Sequence, residues 1–175
     1  MTEIPKQNEY ETTLREIGRI ATTWAKFEHW IDQAIWLLAG VDPRKGACVT
    51  TQINSIHGKF RALIGLMVEA NRPTDAIKVA NQMSDEAGRV VQIRNRFAHG
   101  PLDMGINFET RAFEVYIRRV GLKGRELEFK TSALTNEELN KAQKAVSDLY
   151  RGLMENWALI VGTSSKDELA PPHEN

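Results

Sequence analysis

Apolar residues recur at steps of three or four over most of the chain, which is the spacing of an amphipathic helix. The first stripe runs from about residue 10 to residue 39 and ends at Gly40. Trp30 and Leu37 lie off this stripe, so the helix is apolar on more than one side, as expected if it packs in a bundle and against a second subunit. The stripe consists of Ile17, Ile20, Trp24, Phe27, Ile31, Ile35 and Leu38.

Two more helices follow in the pattern. A turn is predicted at residues 41–46, and a second apolar stripe covers residues 53–67. Thr74 can cap a third helix, which the Gly100-Pro101 pair ends. His99 is therefore predicted at the C-terminal end of the third helix.

The pattern then changes to alternation of apolar and polar residues, which is typical of β-strands. Phe113, Val115 and Ile117 alternate with polar residues, and a β-hairpin is predicted at about residues 112–131 with its turn at residues 121–124. A capping box, Thr135 to Glu138, begins the last helix, which extends to about residue 160. Residues 163–175 are predicted to form a disordered C-terminal tail.

The order of these elements predicts an all-α fold. We expect an up-and-down four-helix bundle with the β-hairpin inserted between helices 3 and 4. The chain has 175 residues, which suits a single domain, predicted at residues 1–162.

Composition narrows the possible functions. The 23 basic and 23 acidic side chains give a net charge of zero, so any contact with RNA must be made by a local patch. Cys48 is the only cysteine, which excludes an internal disulfide and every multi-cysteine metal site and fits a reducing compartment. The sequence has no stretch long enough for a membrane span and no signal-peptide layout, so a cytoplasmic location is expected.

Arg94 is a permanent charge within the apolar stripe of the third helix. Val90 and Val91 precede it by one turn, and Phe97 follows it. Burial of an unpaired guanidinium costs several kcal/mol, so Arg94 must meet a partner, line a cleft or face an interface that holds an anion. A structural salt bridge is the simpler alternative.

Two further polar residues can converge with Arg94. Asn95 and His99 are four positions apart and share a helix face, and the long side chain of Arg94 can reach the same point. At the end of its helix His99 lies near the negative pole of the helix dipole, which favours the imidazolium form and suits proton transfer.

These side chains fit the cleavage of RNA without a metal. That reaction needs a base for the 2′-hydroxyl, a positive charge beside the phosphorane and an acid for the departing 5′-oxygen. One histidine can hardly be base and acid in the same step, so two copies of His99 facing each other across a dimer axis would complete the set. The chemistry therefore predicts a homodimer.

The segment Arg94-Asn95-x-x-x-His99 near a helix end resembles the HEPN superfamily. The family pattern is Arg, then four to six residues, then His, often with Asn, Asp or His directly after the Arg. The resemblance implies a composite dimer site and a metal-independent endoribonuclease that needs no cofactor and leaves a cyclic phosphate and a 5′-hydroxyl. Arg94, Asn95 and His99 are the site residues that it implies.

The resemblance also implies roles in toxin–antitoxin modules, phage defence or RNA processing, with an antitoxin or another regulatory protein as partner. HEPN toxins that are silenced by a nucleotidyltransferase commonly have Tyr two residues after the His, where this chain has Pro101. Control by adenylylation is therefore not expected. Because some HEPN proteins are inactive, a catalytically silent binding or adaptor module is the alternative function.

Other charged residues are secondary candidates. Arg96 and Lys59 could bind phosphate, although a solvated charge is the simpler interpretation of each. Glu28 could pair with Arg94 or orient the site, and a surface ion pair is the alternative. The basic residues of the hairpin could guide RNA or be merely solvated; they are Arg118, Arg119, Lys123 and Arg125.

No metal site is expected from the sequence. His29 and His57, even with Glu28 or Asp32, do not have a known metal-coordinating spacing. Cys48 has no histidine nearby in sequence and is interpreted as a packing residue rather than a nucleophile.

Overall fold

The computed structural model describes residues 6–99, 102–106, 113–123 and 126–162. The predicted tail at residues 163–175 lies outside these ranges, and so does the side chain of His99. Within them the chain is mostly helical, with six helices and a small three-stranded antiparallel sheet. The predominance of helix is confirmed.

The helices match the predicted stripes closely, except that one short helix is added and the predicted last helix is divided in two. They are α1 (Lys6–Ala39), α2 (Pro43–Thr50), α3 (Ile56–Glu69), α4 (Thr74–His99), α5 (Asn136–Glu155) and α6 (Trp157–Val161). None of them combines the length and the apolar character that crossing a membrane requires.

Helix α2 occupies part of the region that was predicted to be a turn. Asp42 caps it, because its Oδ1 accepts a hydrogen bond from the backbone N–H of Arg44 at 2.9 Å. Pro43 occupies the first helical position, where its lack of an N–H costs nothing. These local features begin a helix that is too short to show a periodic apolar stripe.

The predicted last helix is divided into α5 and α6. The α5 start confirms the capping box: the N–H of Glu138 donates to Oγ1 of Thr135, and the N–H of Thr135 donates to Oε2 of Glu138, both at 3.2 Å. The break falls at Asn156, whose side-chain amide donates to the carbonyl oxygen of Gly152 at 2.8 Å. The same carbonyl oxygen also accepts from the backbone N–H of Asn156 at 3.2 Å.

The sheet contains the predicted hairpin and one additional strand. Strand β1 (Leu102–Ile106) pairs antiparallel with β2 (Phe113–Lys123), which pairs antiparallel with β3 (Glu126–Ala133). Val115 and Ile117 are buried, as their alternation predicts. Strand pairing extends into the predicted turn, as far as Lys123 opposite Glu126.

The chain divides into two compact units. The first comprises the described residues within 6–24 and 90–147, and the second comprises the described residues within 25–89 and 148–162. Among the described residues, the core of the first unit is formed by Ile20, Trp24, Val90, Phe97, Val115, Ile117, Leu139, Ala142 and Val146.

The described part of the second unit has an aromatic core. The rings of Phe27 and Phe60 lie 6.2 Å apart, and Trp30 meets Trp157 edge to face at 4.9 Å. Ile31, Leu63, Met67 and Leu153 are buried with them. The single domain predicted for residues 1–162 stays a prediction.

Candidate functional site

The last turns of α4 carry the residues singled out by the sequence. Val90 and Phe97 are buried there, whereas Arg94 and Asn95 are half-buried. The guanidinium group therefore belongs to a helix segment that is buried on one side and partly reached by solvent. This position agrees with a polar site at the edge of an apolar stripe.

Arg94 and Asn95 are in direct contact. Nη1 of Arg94 donates a hydrogen bond to Oδ1 of Asn95 at 3.0 Å. Consecutive residues on a helix project about 100° apart, so this contact requires the long side chain of Arg94 to bend around the helix towards its neighbour. This hydrogen bond joins two of the three polar side chains of the candidate site.

His99 is the last residue of α4. The helix is continuous from Asn95 to His99, and this interval of four residues places both on one face. The end position also places His99 at the negative pole of the helix dipole. The predicted role of its imidazole in proton transfer stays a prediction.

Arg96 is held by two other elements of the first unit. Its Nη1 donates to Oε1 of Glu138 at 2.7 Å, and its Nη2 donates to Oγ of Ser132 at 3.2 Å. The guanidinium carbon also lies 5.9 Å from the ring centroid of Phe97, within the range of a cation–π contact. The predicted phosphate ligand is thus engaged by groups of the protein.

Glu138 uses its two carboxylate oxygens for different partners. Oε1 accepts from Arg96, and Oε2 accepts from the N–H of Thr135. Burial alone would raise the pKa of Glu138, but the Thr135 hydrogen bond and then the hydrogen bond and charge of Arg96 outweigh it, so the pKa is lowered. The carboxylate is therefore favoured in its charged form.

From the sequence, Glu138 is predicted only as part of a capping box. Its contact with Arg96 spans 42 positions, and nothing in either segment indicates the pairing. Charge complementarity is the one available signal, and it is shared by many other acidic and basic pairs in this sequence.

Lys59 and Glu28, the remaining candidates, belong to the second unit. Nζ of Lys59 lies 2.8 Å from Oδ2 of Asp32, and the side chains are only 13% and 16% exposed. Glu28 is half-buried on α1. Arg94, Asn95 and Arg96 belong to the first unit, so the two sets of candidates are in different units.

Basic side chains of the sheet are paired where the structure describes them. Arg118 contacts Asp103 at 2.6 Å, and Lys130 contacts Glu128 at 3.1 Å. The side chains of Arg119, Lys123 and Arg125 lie outside the described residues. The described ranges hold no group of three or more His, Cys, Asp or Glu side chains placed to bind a metal ion. Cys48 is exposed, so the packing role predicted for it from the sequence is wrong.

The chain has no significant match to a family model, a curated protein or a solved structure. The resemblance to HEPN proteins therefore depends on residues 94–99 and on the helical character of the chain.

Proposed function

We propose that this protein is a metal-independent endoribonuclease of HEPN type, and that a homodimer forms its composite active site. The observation that carries the proposal is the hydrogen bond between Arg94 and Asn95 on a half-buried segment of α4, one turn before His99 at the helix end. In this proposal the long helices form an up-and-down four-helix bundle, and the enzyme acts in the cytoplasm.

The proposed reaction is a transesterification within the RNA strand. The imidazole of one His99 removes the proton of a 2′-hydroxyl, and the 2′-oxygen attacks the adjacent phosphorus. The bond from phosphorus to the 5′-oxygen breaks, and the imidazolium of the second His99 protonates that oxygen. The products are a 2′,3′-cyclic phosphate and a 5′-hydroxyl, so atoms and charges balance without an added reactant.

Arg94 stabilises the charge that develops on the phosphorane. Its guanidinium can present two parallel N–H groups to phosphate oxygens, and a partly buried position strengthens that interaction relative to bulk water. Asn95 orients the guanidinium by accepting one of its hydrogen bonds. A single chain supplies one such Arg, one Asn and one His, and the second copy supplies the second imidazole.

A site of this kind destroys cellular RNA unless it is controlled. We therefore propose a toxin or phage-defence role, with an antitoxin or another regulatory protein as partner. Expression without that partner should slow bacterial growth, and Arg94→Ala and His99→Ala should each restore it.

The deciding experiment is RNA cleavage in the presence of EDTA. Purified wild-type protein is incubated with single-stranded and structured RNA beside Arg94→Ala and His99→Ala, and the product ends are identified by mass spectrometry. Arg89→Ala is the matched control, because Arg89 lies on the same helix, is largely exposed and pairs with Glu86 one turn away. Cleavage should survive in this control and disappear in both site variants.

A subunit-exchange experiment tests whether activity requires the homodimer. When wild-type protein exchanges subunits with an equal amount of His99→Ala protein, about half of the wild-type chains enter mixed dimers, so activity per wild-type chain should fall to about half. Unchanged activity per wild-type chain would contradict the composite site. RNA binding without motif-dependent cleavage would favour the silent binding module instead.

A further inference from the structure

We infer that Arg96 is a positioning residue for this site: bound by Glu138 and Ser132, it fixes the turn of α4 that presents Arg94 and Asn95. The inference rests on the proposed function for its catalytic consequence. The contacts themselves are independent of that function.

The network joins three elements of the first unit. Arg96 on α4 donates through one terminal nitrogen to Glu138 in the first turn of α5 and through the other to Ser132 on β3. A planar guanidinium that binds two groups at once restricts rotation as well as distance. This arrangement limits rotation of the end of α4 about its own axis.

Glu138 is itself anchored at the point where β3 leads into α5. Its second carboxylate oxygen accepts from the N–H of Thr135, and its own N–H donates to the Thr135 hydroxyl. The N–H of Leu134, beside this cap, donates to the carbonyl oxygen of Val115 on β2 at 2.7 Å. The partner of Arg96 is therefore supported by a capping box and by the sheet.

Restraint of Arg96 is transmitted to Arg94 and Asn95 because all three lie in one turn of a helix with fixed geometry. Asn95 directly precedes Arg96 and Arg94 precedes it by two residues, so a rotation of this turn moves all three side chains together. Phe97, which is buried and lies beneath the guanidinium, restrains the same turn. Small displacements of groups that contact the transition state reduce turnover sharply.

The two possible roles of Arg96, phosphate binding and positioning, predict different kinetic effects of substituting Glu138. If Arg96 binds RNA, removal of the Glu138 charge frees the guanidinium, which tightens RNA binding and lowers KM. If Arg96 positions α4, substitution of Arg96 or of Glu138 lowers kcat and leaves KM unchanged. The double variant is then no worse than Arg96→Met alone, because Glu138 acts through its contact with Arg96.

The variants are Arg96→Met, Arg96→Lys, Glu138→Gln and the double variant Arg96→Met/Glu138→Gln. Glu137→Gln is the control, because Glu137 is adjacent and pairs with Lys141 through side chains that are mostly exposed. We expect Arg96→Met and Glu138→Gln to lower kcat by about tenfold to 100-fold at constant KM. Arg96→Lys retains the charge but makes only one contact, so it should recover part of this loss.

A second measurement does not depend on cleavage. Backbone hydrogen exchange of residues 94–97 should become about tenfold faster in Arg96→Met and Glu138→Gln, while Glu137→Gln matches the wild type. Unchanged exchange in both variants overturns the inference, even if the protein cleaves RNA. Faster exchange in a protein without RNase activity preserves the positioning contact and overturns the proposed function.

If the enzyme is active, steady-state kinetics provide a further test of the inference. A higher KM in Arg96→Met, together with a lower KM in Glu138→Gln, would assign Arg96 to phosphate binding and overturn the inference. Circular dichroism and thermal unfolding of each variant establish that the fold is retained before rates are compared.

Discussion

Arg94 bends around α4 to donate a hydrogen bond to the side-chain oxygen of Asn95, the residue that follows it. The contact reduces the number of directions in which the guanidinium can point. Because the Asn95 oxygen accepts this hydrogen bond, the amide nitrogen of Asn95, with its two hydrogens, points away from the guanidinium. The hydrogen bond to Asn95 thus restricts the orientation of Arg94.

Asn95→Ala should impair cleavage without unfolding the protein. Loss of the acceptor lets the guanidinium move, and we expect kcat to fall by about tenfold to 100-fold. Asn81→Ala is the control, because Asn81 is exposed on the same helix and donates to the carbonyl oxygen of Ile77 one turn earlier. Equal activity of the two variants in the EDTA assay would remove Asn95 from the site.

Glu138 should make stability depend on pH in the acidic range. Its folded-state pKa is lowered below the usual value of 4.5, so its contribution is complete above that value and is lost as the pH falls through the lowered pKa. The difference in free energy of unfolding between wild type and Glu138→Gln should therefore shrink below pH 4.5. Urea unfolding between pH 3 and 7 measures it, and a difference that grows towards low pH would contradict the network.

Gly46 and Gly65 should respond oppositely to alanine. A methyl group at Gly46 would overlap the indole ring of buried Trp36, whose Nε1 donates to Oγ1 of Thr50 at 3.2 Å. Gly46→Ala should therefore destabilise the protein by about 1–3 kcal/mol. Gly65 lies in α3 with open space around it, so Gly65→Ala should stabilise by up to about 1 kcal/mol. Chemical unfolding of the two variants compares them directly.

The Lys59–Asp32 ion pair should be structural. Both side chains are largely buried, so Lys59→Gln should lower the free energy of unfolding by about 1.5–3 kcal/mol, and the salt dependence of RNA binding should not change. Lys26→Gln, at an exposed position on α1, is the control for loss of one positive charge. A salt slope that falls by about one unit in Lys59→Gln alone would instead identify Lys59 as a phosphate ligand.

The sequence predicted best the features that depend on neighbouring residues. Helical stripes arise from the 3.6-residue period, and the capping box at Thr135 and Glu138 needs only four consecutive residues. Both are present in the structure. The burial of Val115 and Ile117 was also predicted from the sequence, because a strand with one buried face shows apolar residues with a period of two.

Short or interrupted elements were missed for physical reasons. Helix α2 is eight residues long and begins with Pro43, and β1 is five residues long and contains Gly105, so neither shows enough of a period to be recognised. The break at Asn156 falls within one continuous apolar stripe, in which Leu153, Trp157 and Ile160 are all buried. Apolar periodicity therefore gives no indication of a break between α5 and α6.

For the candidate site, the sequence by itself determined which chemical groups are available and in what order they lie along α4. Arg94, Asn95 and His99 have their spacing whatever the rest of the chain does, because the helix is local. Only the tertiary structure decided that Arg96 binds Glu138 and Ser132, since those partners come from β3 and α5. Such pairings depend on the packing of distant segments, and one sequence carries no local signal for them.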